Sequence, residues 1–327
     1  MGLIEEILNY YSFYSLHEIH KGEYQSVQDC MDHLSKNGAE LQLRTFLGIV
    51  KKFENEGFLL KVGQKGDDPI YGAKYVAQTL SPDYLEYGSY HFHYYGFGSI
   101  RKHFANSVLP IDVTKQDDTK DIGTCFIIDA HRILTAKHCI ENKQNIQILD
   151  PQKQVVKPTS IWIPSDGTDL ALIEMNYFNF SSCSKFKLEF GEVLEEILTM
   201  GYPPIPGFDA VQVADISHIG GSVKVSKGKI VAEERTLWDP EANYLINARV
   251  KGGNSGGPII NNLGFVIGMI IDIPLNPEDQ EKIDHLAYGV ALTGRRIMNF
   301  LNDVNHNNGK VEKIQFQMNK SGFSTLT

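Results

Sequence analysis

Two hydrophobic periodicities divide the chain. In residues 1–80, apolar residues recur at the three- and four-residue spacing of amphipathic helices, and two short apolar runs follow around a polar turn. From about residue 105, the apolar runs become short and are separated by turn residues at regular intervals, which is typical of antiparallel β-structure. The pattern therefore predicts a small α+β domain followed by a mainly β domain.

The first part predicts three helices and a hairpin. Ser26 is placed to cap a second helix over 27–36, and the third helix carries Phe46, Val50 and Phe53 on one face. This order of elements resembles a winged-helix domain, a fold that often reads DNA with its third helix. Because residues 1–80 hold eight Lys and Arg against eleven Asp and Glu, we favour a regulatory or protein-docking role and keep DNA binding as the alternative.

Residues 81–104 are rich in tyrosine, histidine and glycine, and we interpret them as an aromatic connector packed between the domains. His91, His93 and His103 suggest a metal site. No cysteine or carboxylate joins them at ligand spacing, so a structural or surface role is favoured and no metal is expected.

The mainly β domain, residues 105–304, holds a dozen or so predicted strands, which indicates an all-β barrel or a pair of barrels. A closing helix over 295–304 follows, and residues 305–327 form a polar tail with no predicted structure. The predicted strands lie at 108–111, 125–128, 133–134, 146–149, 161–163, 170–173, 197–200, 211–213, 230–231, 244–246, 259–260, 266–271 and 289–291.

Composition and charge narrow the class of protein. The 327-residue chain is 42% hydrophobic and 22% charged, which is typical of globular proteins. Its net charge of −9 argues against binding nucleic acid mainly through a basic surface. The acidic N-terminus does not resemble a secretory signal, and the apolar run 266–271 is too short to cross a bilayer. We therefore expect a cytoplasmic protein, without membrane association, whose four cysteines are thiols.

Three short motifs supply nucleophilic and acid–base groups. His138 follows an apolar strand, Asp169 begins another, and Ser255 stands in Gly-Asn-Ser-Gly-Gly-Pro at 253–258. Glycines around a serine let the backbone turn sharply and present N–H groups to a developing oxyanion. A serine nucleophile needs a base and a group that orients the base, so His138 and Asp169 are the candidate partners. Asp166 is a rival for Asp169.

With Gly-Thr-Cys-Phe-Ile-Ile at 123–128, these motifs resemble the trypsin-like (chymotrypsin-fold) serine peptidases, most closely the intracellular and bacterial branch that includes the Deg/HtrA proteins. The resemblance implies two antiparallel β-barrels with the site between them. It also implies that Ser255 attacks the peptide carbonyl of a protein substrate, that His138 transfers the proton and that Asp169 orients the imidazole. The backbone N–H groups of Gly253 and Ser255 would form the oxyanion hole, and no cofactor is required.

Sequence differences from the digestive enzymes of this family suggest how the peptidase activity would be controlled. Asn254 replaces the aspartate that pairs with a newly cut N-terminus in those enzymes, and no matching cleavage site lies near residue 105. We expect control by the N-terminal domain or a protein partner, as in proteases of bacterial defence or stress systems. The competing hypothesis is an inactive protease fold that serves as the scaffold of a DNA- or protein-binding regulator.

The same resemblance suggests interpretations for two further residues. Arg249 lies six residues before Ser255, where trypsin carries its specificity aspartate, so it either favours an acidic P1 residue or points to solvent. Cys125 lies about three positions from the usual disulfide partner of Cys139, so free thiols are favoured.

Overall fold

The computed structural model of the chain describes residues 2–39, 42–78, 80–115, 120–141, 143–152, 154–203, 223–235, 241–271, 288–315, 318–319 and 322–323. The chain divides into two compact units, Met1–Gly96 and Phe97–Thr327. This division falls inside the segment that we interpret as a connector.

The first unit packs helices against a small antiparallel sheet in which β3 lies between β1 and β2. Its elements are α1 (Leu3–Tyr10), a π-helical turn (Ser15–Ile19), β1 (Gln25–Ser26), α2 (Val27–Lys36), α3 (Leu43–Asn55), β2 (Leu59–Gln64), β3 (Ala73–Ala77), α4 (Pro82–Tyr87) and α5 (Ser89–Tyr95). The first three helices share one core, to which Ile7, Leu34 and Phe53 contribute.

The structure confirms the predicted cap of the second helix and the predicted buried face of the third helix. The Ser26 hydroxyl accepts from the N–H of Asp29 at 3.2 Å, and the Asp29 carboxylate accepts from the N–H of Ser26 at 3.0 Å, so a capping box starts α2. Phe46, Val50 and Phe53 are buried on α3 as predicted. The short strand β1 was not predicted. Assignment of this unit to the winged-helix family stays a prediction.

The aromatic segment 81–104 is helical. In the first unit, Tyr90 of α5 packs edge-on against Phe53 at 6.4 Å between ring centroids. In the second unit, Phe104 of α6 (Phe97–Phe104) stacks on Phe186 at 4.1 Å. Aromatic residues of this segment therefore pack against the core of the unit to which each belongs.

The histidines of this segment contact separate partners. His93 Nε2 lies 2.9 Å from Glu56 Oε2, and the His91 ring lies 4.7 Å from that of Tyr95. Within the described part of the chain, no group of three or more His, Cys, Asp or Glu side chains is arranged to hold a metal ion.

In the described residues, the second unit contains two large antiparallel sheets, one ordered β17-β9-β10-β6-β5-β4-β7-β8 and one closed into a barrel, β11-β12-β13-β16-β15-β14. Its strands are β4 (Val108–Lys115), β5 (Lys120–Ile127), β6 (Arg132–Thr135), β7 (Lys143–Leu149), β8 (Val155–Val156), β9 (Ser160–Pro164), β10 (Ala171–Glu174), β11 (Glu196–Gly201), β12 (Lys224–Arg235), β13 (Ala242–Ile246), β14 (Pro258–Asn261), β15 (Val266–Ile271), β16 (Gly289–Thr293) and β17 (Val311–Gln315).

The mainly β architecture with two curved sheets agrees with the sequence pattern, and the strand predicted at 211–213 lies outside the described residues. The closing helix, α7 (Gly294–His306), begins after Thr293, whose hydroxyl accepts from the N–H of Arg296 at 3.3 Å. Two short strands, β18 (Met318–Asn319) and β19 (Gly322–Phe323), pair near the C-terminus. In the residues that the structure describes, no helix is long and apolar enough to span a membrane.

The tail contains a strand that the sequence pattern did not predict. β17 pairs antiparallel with β9, and Lys313 Nζ lies 2.8 Å from Glu174 Oε2 and 4.7 Å from the centroid of the Trp162 ring. The indole N–H of Trp162 donates to the other oxygen of Glu174 at 2.9 Å. The ion pair between Lys313 and Glu174 thus adds to the backbone pairing of β17. A search for alternating apolar residues does not detect a strand held in this way.

Candidate functional site

His138 and Asp169 lie at the ends of neighbouring strands of the open sheet. β6 and β10 pair with Thr135 opposite Ala171, so the turn after β6 (Lys137–Cys139) meets the loop before β10. Asp169 Oδ2 accepts from His138 Nδ1 at 2.7 Å, and Oδ1 accepts from the backbone N–H of His138 at 2.9 Å. A carboxylate can only accept, so Nδ1 carries the proton and Nε2 of the neutral ring is left as an acceptor.

Asp166 has a different contact. Its Oδ1 accepts from the backbone N–H of Thr168 at 2.9 Å, and its side chain is exposed. This bond closes a turn within the loop that carries Asp169. Of the two rival aspartates, the structure therefore brings Asp169 to His138.

The surroundings of His138 raise its pKa above the ordinary value of a histidine. Burial acts in the opposite direction, because it disfavours the charged ring. The hydrogen bond to Asp169 and the neighbouring thiol of Cys139 outweigh that effect. The neutral imidazole, which is the form that can accept a proton, therefore becomes dominant at a higher pH than in an isolated histidine.

Ser255 lies in the loop between β13 and β14 of the closed barrel, in a turn shaped by glycines. Gly253 and Gly256 have φ values of 88° and 80°, which side-chain-bearing residues rarely adopt. A Cβ on Gly256 would also lie 2.1 Å from the carbonyl oxygen of Thr124. The turn thus approaches the open sheet more closely than any larger residue allows.

Only some backbone N–H groups of this turn donate hydrogen bonds within the described part of the protein. The N–H groups of Asn254, Gly256 and Gly257 donate to backbone carbonyls at 2.8 to 3.0 Å. In the described residues, by contrast, the N–H groups of Gly253 and Ser255 have no hydrogen-bond acceptor. Both groups are therefore available to an oxyanion, as the oxyanion-hole prediction requires.

Thr124 of β5 holds this turn from the opposite sheet. Its N–H donates to the carbonyl oxygen of Ser255 at 2.9 Å, and its hydroxyl donates to that of Gly253 at 2.6 Å. The same hydroxyl accepts from the N–H of Tyr202 at 3.0 Å. Thr124 is completely buried, so these bonds are shielded from water. Thr124 belongs to the motif at 123–128, but no local sequence signal indicates this role.

The Cys139 thiol lies between the serine turn and the histidine. Its sulfur is 3.4 Å from the carbonyl oxygen of Ser255 and 3.7 Å from His138 Nε2. The Cys139 sulfur thus contacts both groups, which places the Ser255 backbone on the Nε2 side of the imidazole. Cys125 and Cys139 are free thiols, as the sequence indicated. Complete burial raises the pKa of the Cys125 thiol, which keeps it protonated.

The two other residues singled out near Ser255 differ in exposure. Asn254 is 6% exposed and packs against Gly201 of β11, where a Cβ would lie 2.5 Å from the asparagine oxygen. Arg249 is exposed, and its backbone N–H donates to the Ser226 hydroxyl at 2.9 Å. Exposure fits the solvent-facing alternative and does not exclude contact with a substrate, so its specificity role stays a prediction.

A β-barrel and a second antiparallel sheet, with a histidine–aspartate pair on one and a glycine-framed serine on the other, define the chymotrypsin-like class of serine peptidase folds. Residues 123–269 match the trypsin-like peptidase domain family. The chain therefore contains a trypsin-like peptidase domain and is homologous to the Deg/HtrA serine proteases.

Individual relatives agree with this assignment. Protease Do-like 2, chloroplastic, of Arabidopsis thaliana is 26% identical over 200 residues, which are 59% of this chain and 30% of the relative. A probable periplasmic serine endoprotease, DegP-like, of Pseudomonas savastanoi is 28% identical over 160 residues, 47% of this chain and 30% of the relative. The chain thus matches less than a third of the length of these two curated relatives.

Among solved structures, the Rv3671c protease of M. tuberculosis in its active form is similar with a TM-score of 0.47 at 21% identity. The match covers 68% of this chain and 87% of that one.

We predict that the reaction of Ser255 with a fluorophosphonate depends on the neutral form of His138. The raised pKa means that reactivity is lost as pH falls through a value above the ordinary 6.5 or so. Asp169→Asn should lower the rate by about 10⁴-fold and move this loss to lower pH, because the asparagine amide supports neither the required tautomer nor the charged ring. Asp166→Asn is the matched control. An equal loss in both variants, or an unshifted profile in Asp169→Asn, would contradict the assignment.

Thr124→Val tests the support of the oxyanion turn. Valine keeps the shape and the backbone N–H but removes the hydroxyl that holds the Gly253 carbonyl. The maximal reaction rate should therefore fall roughly tenfold to a hundredfold, with little change in probe affinity. Thr124→Ser retains the hydroxyl and should react at close to the native rate. If both variants react alike, the hydroxyl has no role in orienting Gly253.

Proposed function

We propose that the chain is a serine endopeptidase that cleaves protein or peptide substrates through an acyl-enzyme. Ser255 attacks the carbonyl carbon of the scissile bond, while His138 Nε2 takes the hydroxyl proton and then gives it to the leaving amine. Asp169 holds the imidazole and stabilises its charged form. The N–H groups of Gly253 and Ser255 bind the negative oxygen of the tetrahedral intermediate.

One arrangement carries this proposal. Asp169 occupies Nδ1 of His138, the thiol of Cys139 contacts both Nε2 and the carbonyl oxygen of Ser255, and two N–H groups of the serine turn are left unoccupied. An orienting carboxylate, a base nitrogen on the far side of the ring and two donors without acceptors are groups that acyl transfer requires. A scaffold that only binds a partner gains nothing from unpaired donors at the surface of a tight turn.

Control and location belong to the same proposal. We infer that the first unit, residues 1–96, or a protein partner regulates the peptidase. The neutral Asn254, which has no charge to pair with a new N-terminus, supports this inference. A role in a bacterial defence or stress system, in the cytoplasm, is proposed with it. Some relatives carry chloroplastic or periplasmic in their names, so fractionation of the producing cells is the direct check on location.

A fluorophosphonate probe tests the proposed activity. The native chain should be labelled at one serine, and Ser255→Ala should abolish the labelling, whereas Ser165→Ala, at an exposed serine of the same domain, should leave it unchanged. Absence of labelling in the native chain, with a DNA complex in an electrophoretic shift assay at several salt concentrations, would favour the scaffold hypothesis. The same probe compares the full chain with residues 97–327. An equal rate in both, unaltered by any partner, would remove the regulatory inference.

Arg249 offers a test of specificity. If its guanidinium meets the P1 side chain, a peptide library should be cleaved after Asp or Glu, because a charge-assisted hydrogen bond there contributes about 1.5–3 kcal/mol. Arg249→Ala should then lose roughly tenfold or more of that preference. Lys251→Ala removes a neighbouring exposed charge and should keep the profile. An unchanged profile in Arg249→Ala would leave the arginine as a solvent-facing residue.

A further inference from the structure

A buried arginine lies behind the loop that carries Asp169. Arg296 projects from α7, and its side chain is 7% exposed. Its Nη2 donates to the hydroxyl oxygen of Thr168 at 2.8 Å, and its Nη1 donates to Oδ1 of Asn243 at 3.1 Å. Its Nε lies 3.2 Å from a carboxylate oxygen of Glu241. The guanidinium is therefore paired and hydrogen-bonded, as a buried charge must be.

These contacts join parts of the fold that are distant in sequence. Asn243 belongs to β13 of the closed barrel, whereas Thr168 lies in the loop before β10 of the open sheet. Thr168 directly precedes Asp169, and its backbone N–H is held on the other side by Asp166 at 2.9 Å. The position of the Asp169 backbone is thus set by bonds to the residue next to it.

Packing restrains only one end of this loop. Pro164, Thr168, and Arg296 and Phe300 of α7 are among the residues that line a cavity of about 680 Å³. A loop that borders open space has few van der Waals contacts on that side to hold it in place. Leu170, which follows Asp169, is completely buried, so packing fixes that end of the loop, and the hydrogen bonds of Thr168 restrain the end that borders the cavity.

We propose that Arg296 is a positioning residue for Asp169, an inference that rests on the proposed serine peptidase function. The planar guanidinium offers donors in a fixed fork, so it holds Thr168 at a constant distance from β13. This keeps the Asp169 carboxylate where it meets both Nδ1 and the backbone N–H of His138. Because a displacement of the order of 1 Å at a catalytic group costs about a hundredfold in rate, this restraint matters for turnover.

The test compares variants at both ends of the Arg296–Thr168 bond. Arg296→Met and Thr168→Val should each lower the maximal rate of the fluorophosphonate reaction about tenfold to a hundredfold, with little change in probe affinity. Arg296→Lys keeps a charged donor and should retain part of the rate. The rate should stay below that of the native chain, because one ammonium cannot hold Thr168 and Asn243 in the same geometry. Glu241→Gln is the matched control, since Glu241 is 60% exposed, the amide oxygen can still accept from Nε, and the bonds of the guanidinium to Thr168 and Asn243 remain.

A second readout distinguishes positioning from general stability. The proton on His138 Nδ1, shared with Asp169, should give a far-downfield proton NMR signal in the native chain. Arg296→Met and Thr168→Val should shift or broaden this signal, and they should move the acid side of the pH profile, while Glu241→Gln changes neither. A merely structural role would lower the melting temperature without altering the signal in the folded protein.

The outcomes separate this inference from the proposed function. If the native chain shows the downfield signal but never reacts, the peptidase proposal fails, and the variants still test positioning through the signal. If the native chain reacts, and both variants react at its rate with an unchanged signal, Arg296 does not position Asp169. Where Arg296→Met does not fold, Thr168→Val decides, because it deletes one hydrogen bond and leaves the arginine in place.

Discussion

The hydrogen bonds from Thr124 to the carbonyls of Gly253 and Ser255 connect the two sheets at the point where their chemical groups meet. The histidine and the aspartate come from the open sheet, whereas the serine comes from the closed barrel. Neither sheet holds a complete set of groups, so the relative position of the sheets decides whether a site exists. A buried threonine that uses its N–H and its hydroxyl on one turn fixes that position at little cost, because all its polar atoms are satisfied.

The same constraint explains the residues around the site. Gly256 brings its backbone within reach of Thr124, which no larger residue permits. The sulfur of Cys139 contacts both the carbonyl oxygen of Ser255 and Nε2 of His138, and its polarisability suits both contacts. Arg296 makes a second connection between the sheets, through Thr168 and Asn243. Thr124 and Arg296 thus provide polar contacts between the sheets at two places close to the candidate triad.

The sequence predicted the parts of this structure that depend on local signals. The capped helix α2 and most strands of the second unit follow from capping and periodicity, and His138, Asp169 and Ser255 follow from short motifs in a fixed order. It did not predict β17, which pairs with β9 through the backbone and whose Lys313 meets Glu174 and Trp162 across the sheet. Thr124 and Arg296 were missed for the same reason, because each acts through partners more than a hundred residues away.

The occupied and unoccupied donors of the serine turn limit how this site can be controlled. The N–H groups of Asn254, Gly256 and Gly257 are all used within the domain, whereas those of Gly253 and Ser255 have no acceptor among the described residues. The turn reaches this conformation with a neutral, buried asparagine and needs no ionic partner. A regulatory signal that acts on this conformation therefore has little to add at the turn. Regulation, as we propose it, would then act on access to Ser255 or on the hydrogen bonds that hold the loop of Asp169.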